Sequence, residues 1–126
     1  MSDTQKILIV EDEHLLSEAI ERKLEKEGFD VIIATDGQEG LVQAFQRHPD
    51  LILLDIILPV VDGITVLDRL RKDAWGSKVP VIILTNLSDA EVINESREKG
   101  VSDYLVKTDW DINEVMDKVK EKLKVG

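Results

Sequence analysis

Five short apolar runs punctuate a largely polar chain: Ile7-Leu8-Ile9-Val10, Val31-Ile32-Ile33-Ala34, Leu51-Ile52-Leu53-Leu54, Val81-Ile82-Ile83-Leu84 and Tyr104-Leu105-Val106. Most do not alternate with polar residues, which is the pattern of strands buried on both faces of a parallel sheet. Between them the apolar positions follow helical spacing. Leu16, Ala19, Ile20 and Leu24 form one stripe, Leu41, Ala44 and Phe45 a second, and Ile112, Val115, Met116, Val119 and Leu123 the clearest. Asp36-x-x-Glu39, Ser88-x-x-Glu91 and Asp111-x-x-Glu114 each offer a short acceptor at a helix start with Glu three residues on. Gly28 and Gly100 are placed to stop the first and fourth helices, and Asp62-Gly63 marks the turn into the third. Strand and helix thus alternate five times. The expectation is an α/β fold: a doubly wound five-stranded parallel sheet, order 2-1-3-4-5, flanked by five helices and filling residues 1–126 as one domain.

Composition narrows the function. The 126 residues carry 26 acidic against 16 basic side chains, a net charge of −10, and such a field repels phosphate backbones, so no direct contact with nucleic acid is expected. There is no cysteine for disulfides, thiolate metal sites or nucleophilic catalysis. The N-terminal residues lack an apolar leader core, and no apolar run approaches membrane-spanning length, so the expectation is a soluble intracellular domain with no membrane partner.

In the 2-1-3-4-5 order, strands 1 and 3 are neighbours and ligands bind at their carboxyl ends. Strand 1 is followed by Glu11, Asp12 and Glu13, and strand 3 by Asp55. Carboxylates gathered there repel one another, and a divalent cation relieves the repulsion; all-oxygen ligation suits Mg²⁺. Taken singly, the three acids after strand 1 could simply favour a helix N-terminus. Thr85 and Lys107 end strands 4 and 5 on the same rim, where a hydroxyl and an ammonium meet the needs of an incoming phosphoryl group.

Along essentially its whole length the sequence resembles the receiver domain of two-component response regulators, the CheY-like fold. The matching residues are Val10-Glu11-Asp12, the stretch from Pro49 through Asp55 to Pro59 with Asp62-Gly63, Thr85, and Tyr104-Leu105-Val106-Lys107. The resemblance implies that Asp55 is the phosphoacceptor, with Mg²⁺ held by Asp12, Asp55 and the Ile57 backbone carbonyl and by Glu11 through water. It implies that Lys107 pairs with the phosphoryl group, that Thr85 turns its hydroxyl to it, and that Tyr104 follows inward. The donor would be a sensor histidine kinase or a histidine phosphotransfer protein in the cytoplasm. The readout would be a changed face of helix 4, strand 5 and helix 5, meeting a downstream protein as a monomer or a phosphorylation-dependent dimer. Such a domain is a phosphoacceptor rather than an enzyme acting on other molecules.

Four positions depart from the pattern or bear on rate. Thr108 follows Lys107 where the family usually has a cis-proline, so a trans bond is expected. Asn86 replaces the usual small residue after Thr85. Ile57 and Leu87 flank the attack path and neither can orient a water, which predicts slow autodephosphorylation. Helix 4 has a thin apolar content (Ala90, Val92, Ile93), fitting either a mobile element or a plain solvated helix. His14 and His48 read as ordinary surface or satisfied histidines, and Trp75 falls in a polar turn. Trp110 is placed as a staple for helix 5 or as an exposed anchor. A flavin binder would need hydroxyls where Glu11-Asp12-Glu13 stand, and a haloacid-dehalogenase-type phosphatase would need a second Asp at Ile57. The remaining alternative is a pseudo-receiver acting as a phosphorylation-independent interaction module.

Overall fold

The computed structural model describes residues 4–109 and 111–123, so Trp110 and the role expected of it lie outside the described residues. Strands β1 (Lys6–Val10), β2 (Asp30–Ala34), β3 (Leu51–Leu54), β4 (Val81–Thr85) and β5 (Asp103–Val106) alternate with helices. These are α1 (His14–Lys26), α2 (Gly37–Arg47), α3 (Gly63–Arg71), α4 (Ala90–Glu98) and α5 (Ile112–Leu123). All four strand pairings are parallel and the order is β2-β1-β3-β4-β5, as expected.

Burial follows position in the sheet. Leu51–Leu54 and Val81–Thr85 are buried throughout, and β1 is buried beyond Lys6, because helices cover both faces of the central strands. Edge strands β2 and β5 are only half-buried over most of their length. Two apolar layers result. One joins Leu8, Val10, Leu54 and Ile83 to α2 and α3; the other joins Ile7, Ile9, Leu53 and Ile82 to α1 and α5. The α5 stripe packs as read, with Val115, Met116 and Val119 buried.

The other stripes need correction. In α1 the buried residues are Ser17, Ile20 and Leu24, while Ala19 is exposed. The Ser17 hydroxyl donates to the His14 carbonyl (3.2 Å), so a hydroxyl sits in the core without an unmet bond. In α2, Leu41 and Ala44 are buried but Phe45 is 39% exposed, standing edge-on to Trp75 at 6.3 Å between ring centroids. Trp75 also stacks on His48 at 4.3 Å, and His48 ends α2 in the left-handed region at φ 45°.

Helix starts are set by local side chains. Asp36, Asp62 and Asp111 accept from the N–H groups of Glu39, Thr65 and Glu114. The α4 cap is Asp89 rather than Ser88, its carboxylate accepting from Glu91 N (3.0 Å). An aspartate beside a serine is the stronger acceptor near a helix N-terminus, because it also carries the charge the dipole favours. Gly28 (φ 95°) and Gly100 (φ 77°) end α1 and α4 in the backbone region where glycine is unstrained.

Helix α4 is loosely seated along its length and firmly held at one end. Its single buried residue is Ser96, whose hydroxyl has no hydrogen-bond partner among the described residues. At its C-terminal end the Arg71 guanidinium donates to Lys99 O (2.7 Å) and Gly100 O (3.1 Å), and on its other side to Gly76 O and Val79 O (both 2.8 Å). One side chain therefore ties the α4–β5 turn to the α3–β4 turn.

Candidate functional site

The register brings the chemistry to one rim. Val10 pairs with Leu54 across β1 and β3, and Asp55 N donates to Val10 O, so Glu11-Asp12 and Asp55 leave the sheet side by side. One carboxylate oxygen from each of Glu11, Asp12 and Asp55 lies within 4.8 Å of the others. Glu11 and Asp55 are buried, at 3% and 4% exposure, while Asp12 is exposed. Next along, Thr85 pairs with Val106, and Lys107 N donates to Thr85 O (2.7 Å), which delivers Lys107 to the same crevice.

Lys107 organises the crevice. Its ammonium contacts Glu11 Oε1 (2.7 Å), Asp55 Oδ2 (2.9 Å) and Glu13 Oε1 (2.9 Å). Burial alone would lower the Lys107 pKa, but hydrogen bonds to Glu11, Asp55 and Glu13 outweigh it and hold the ammonium well above its usual 10.5. Burial pushes the Glu11 carboxyl above its usual 4.5 despite Lys107 and a bond from Glu13 N to Glu11 Oε2 (3.0 Å). Asp55 Oδ1 accepts from Ile57 N (3.0 Å). Both Asp55 oxygens are thus held, one by an amide and one by an ammonium.

Local sequence makes the approach possible. Helix α3 begins hard against the acceptor strand: a Cβ at Gly63 would collide with the Asp55 carbonyl oxygen and Ile56 Cα, so Asp62-Gly63 is a packing requirement as well as a turn. The intervening loop carries exposed Ile57 (56%) and Val60 (77%). Val60 has φ 69°, and Val61 N donates to Pro59 O (2.8 Å) across it, forming a γ-turn that is strained for a β-branched residue. Pro59 O also accepts from Gly37 N (3.2 Å), which fastens the loop to α2.

Thr85 is fully buried, its hydroxyl accepting weakly from Leu87 N at 3.4 Å. The Tyr104 hydroxyl donates to Leu87 O (2.6 Å), linking β5 to the loop after β4. Burial, then the charges of Asp55 and Asp89, raise the Tyr104 pKa above its usual 10.0. No cis peptide occurs among the described residues, so the Lys107–Thr108 bond is trans, as Thr108 predicts. Asn86 is exposed and lines a cleft of about 460 Å³ with Glu13, Leu16, Lys107 and Ile112. His14 is exposed and joins no metal cluster among the described residues.

Of the site residues expected from the sequence, Glu11, Asp12, Asp55 and Lys107 meet in one cluster; Ile57 N donates to Asp55, Leu87 N to the Thr85 hydroxyl, and Tyr104 is bonded to the Leu87 carbonyl. The contact from Glu13 to Lys107 was not legible, since it spans 94 residues and nothing in the acidic run distinguishes Glu13.

A family profile, described as the response regulator receiver domain, matches residues 7–120. The chain belongs to the receiver-domain family. Its relatives include the DNA-binding dual master transcriptional regulator RpaA of Synechocystis sp., 40% identical over 94% of this chain and 49% of that protein. This receiver domain spans about half the length of the curated relatives it matches, among them the response regulator ArlR of Staphylococcus saprophyticus (40% identical; 94% of this chain, 52% of that protein). It superposes with a TM-score of 0.85 on the receiver domain of the sensor histidine kinase PA1611 from Pseudomonas aeruginosa, a structure with magnesium coordinated in the active-site cleft. Identity there is 30%, covering 97% of this chain and 99% of the other. The phosphorylation-dependent reading is the one these relatives support, and nothing in the structure favours a pseudo-receiver. No helix among the described residues is long and apolar enough to cross a membrane.

Proposed function

We propose that Asp55 accepts a phosphoryl group from a phosphohistidine of a sensor kinase or phosphotransfer protein. The observation that carries this is the buried Asp55 carboxylate, 2.9 Å from the Lys107 ammonium and within a three-carboxylate cluster at the sheet's switch point. An Asp55 oxygen attacks phosphorus in line; the new O–P bond forms as the N–P bond breaks, and the imidazole leaves with its electron pair. Lys107 and the Thr85 hydroxyl receive the equatorial oxygens. The cluster fits Mg²⁺: three hard oxygens within 4.8 Å, with exposed Asp12 leaving room for metal-bound waters. Glu11, Asp12, Asp55 and the Ile57 carbonyl would hold it, and bound Mg²⁺ would supply positive charge against the phosphoryl oxygens.

Thr85 and Tyr104 carry the change outward. Tyr104 is bonded to the carbonyl of Leu87, in the loop that Thr85 begins, so a reoriented Thr85 disturbs that bond and the α4–β5–α5 face. A downstream protein or a second copy would read that face. With a cytoplasmic kinase as donor the domain would act in the cytoplasm, promoting phosphoryl transfer onto and off its own aspartate.

Intact mass after incubation with acetyl phosphate tests the reading. A phosphoryl adduct that needs both Mg²⁺ and Asp55, and is absent in Asp55→Asn, is expected; a folded protein that takes no adduct refutes it. Exposed Ile57 and half-buried Leu87 present no group to orient a water, so the adduct should decay slowly. Ile57→Asn with Leu87→Glu should shorten its lifetime by about a hundredfold, the lower end of what one positioned general base contributes. An unchanged decay would refute the role of these positions.

A further inference from the structure

Lys107 has three ammonium hydrogens and faces three carboxylates. Two of them, Glu11 and Asp55, belong to the metal-fitting cluster; Glu13 does not. Glu13 is the N-cap of α1 (φ −83°, ψ 102°), yet its side chain makes no capping bond, and glutamate is not among the residues that cap well. Its negative charge suits a helix N-terminus, but the bond its side chain makes is a long-range one, 2.9 Å to a lysine 94 positions away.

The three acids also differ in exposure. The side chains of Glu11 and Asp55 are 4% and 5% exposed, and that of Glu13 is 57% exposed. Glu13 therefore lies on the solvent side of the ammonium, on the wall of the cleft that Lys107 and Asn86 share. An anionic phosphodonor that approached through this cleft would meet the Glu13 charge first.

We propose that Glu13 is a positioning residue that shares the Lys107 ammonium with Asp55 and competes with the incoming phosphoryl group for it. The inference rests on Asp55 being the phosphoacceptor. Once Asp55 carries a phosphoryl group, the oxygen that held Lys107 gives way to phosphoryl oxygens, and Glu11 would have a bound Mg²⁺ as an alternative partner. Among the described residues Lys107 is the only cation that Glu13 contacts, so its claim on Lys107 is opposed by solvent alone and persists. Its charge also faces the donor. The first effect acts through Lys107 and the second through space; both weaken when the carboxylate becomes an amide, the first because a charge-assisted bond is roughly twice as strong as a neutral one and the second because the charge is gone.

Glu13→Gln separates this role from a structural one, since it keeps size and an acceptor oxygen at a half-exposed position. With acetyl phosphate and Mg²⁺ at low salt, the variant should be phosphorylated about three- to tenfold faster, as expected for one unit charge removed near the reacting anion. The gain should lie in the half-saturating donor concentration rather than the saturating rate, and should shrink at about 1 M salt. Beryllofluoride, a phosphoryl mimic, should bind the variant more tightly. In the unphosphorylated protein, ¹⁵N NMR of the Lys107 ammonium should show faster hydrogen exchange with water in Glu13→Gln and faster still in Glu13→Ala. Phosphorylation of the wild type with an unchanged donor dependence in Glu13→Gln, or ammonium exchange that no Glu13 variant alters, overturns the inference alone. If the wild type takes no phosphoryl group, the phosphoacceptor reading falls and the competition falls with it.

Discussion

Lys107→Met keeps most of the side-chain stem and removes its charge. What remains is a pair of carboxylates, Glu11 and Asp55, with side chains 4% and 5% exposed and facing each other without a cation. Breaking a buried ion pair by removing one partner costs about 3–5 kcal/mol, because the other charge stays buried. Two features of this site reduce that figure. The third partner, Glu13, is 57% exposed and regains water easily. The Glu11 carboxyl, already pushed up by burial, can escape its charge by taking a proton. The net cost expected at pH 7.5 without Mg²⁺ is therefore about 2–4 kcal/mol. Urea denaturation followed by circular dichroism would measure it. The cost should depend on pH with a definite sign. Loss of Lys107 raises the folded-state Glu11 pKa further above its usual 4.5, so the folded variant binds a proton more readily than the unfolded chain. The deficit is then full at high pH and fades as pH falls through the raised value. Mg²⁺, binding the same carboxylates in the folded state only, should return part of the lost stability. A cost below about 1 kcal/mol, or one that does not change with pH, would show that Lys107 is solvated like an ordinary surface lysine and refute the reasoning.

Two other substitutions test features of the frame. Ser96→Ala removes a buried hydroxyl that has no partner among the described residues and places a better helix former in α4, so stability should rise by about 1–2 kcal/mol in chemical denaturation; a loss would mean that the hydroxyl is bonded. Val60→Gly relieves a β-branched residue at φ 69°, worth about 1–2 kcal/mol, against about 0.5–1 kcal/mol for the freedom glycine gains when unfolded. A stabilisation of up to about 1 kcal/mol is expected, and a clear destabilisation would place Val60 in ordinary backbone geometry.

What could be read from the sequence was what depends on neighbours in the chain or on burial on both sides. The runs of β1, β3 and β4 are apolar at nearly every position because both faces are covered, and Asp36, Asp62 and Asp111 cap helices that begin beside them. Errors arose where two local signals competed or where a distant segment decided. Ser88 and Asp89 are adjacent acceptors, and spacing to Glu91 favours the one that the charge does not. Phe45 fits the α2 stripe, yet its ring is met by Trp75 from the α3–β4 turn, at the edge of the core rather than within it. The strand order carried most of the site, because it alone sets Glu11 and Asp12 beside Asp55 and brings Lys107 to Glu11 and Asp55. The γ-turn at Val60 had no sequence signal, since a valine argues against the backbone it adopts.

The four bonds of Arg71 give α4 one fixed end and leave Asp89 at the other. A nine-residue helix is about 13 Å long, so a tilt of about 10° about that end moves the other by about 2 Å while the clamped turn stays nearly still. Helix α4 is in this sense a lever whose fulcrum lies at the pole of the sheet away from Asp55. Its free end begins just past Leu87, whose carbonyl Tyr104 holds.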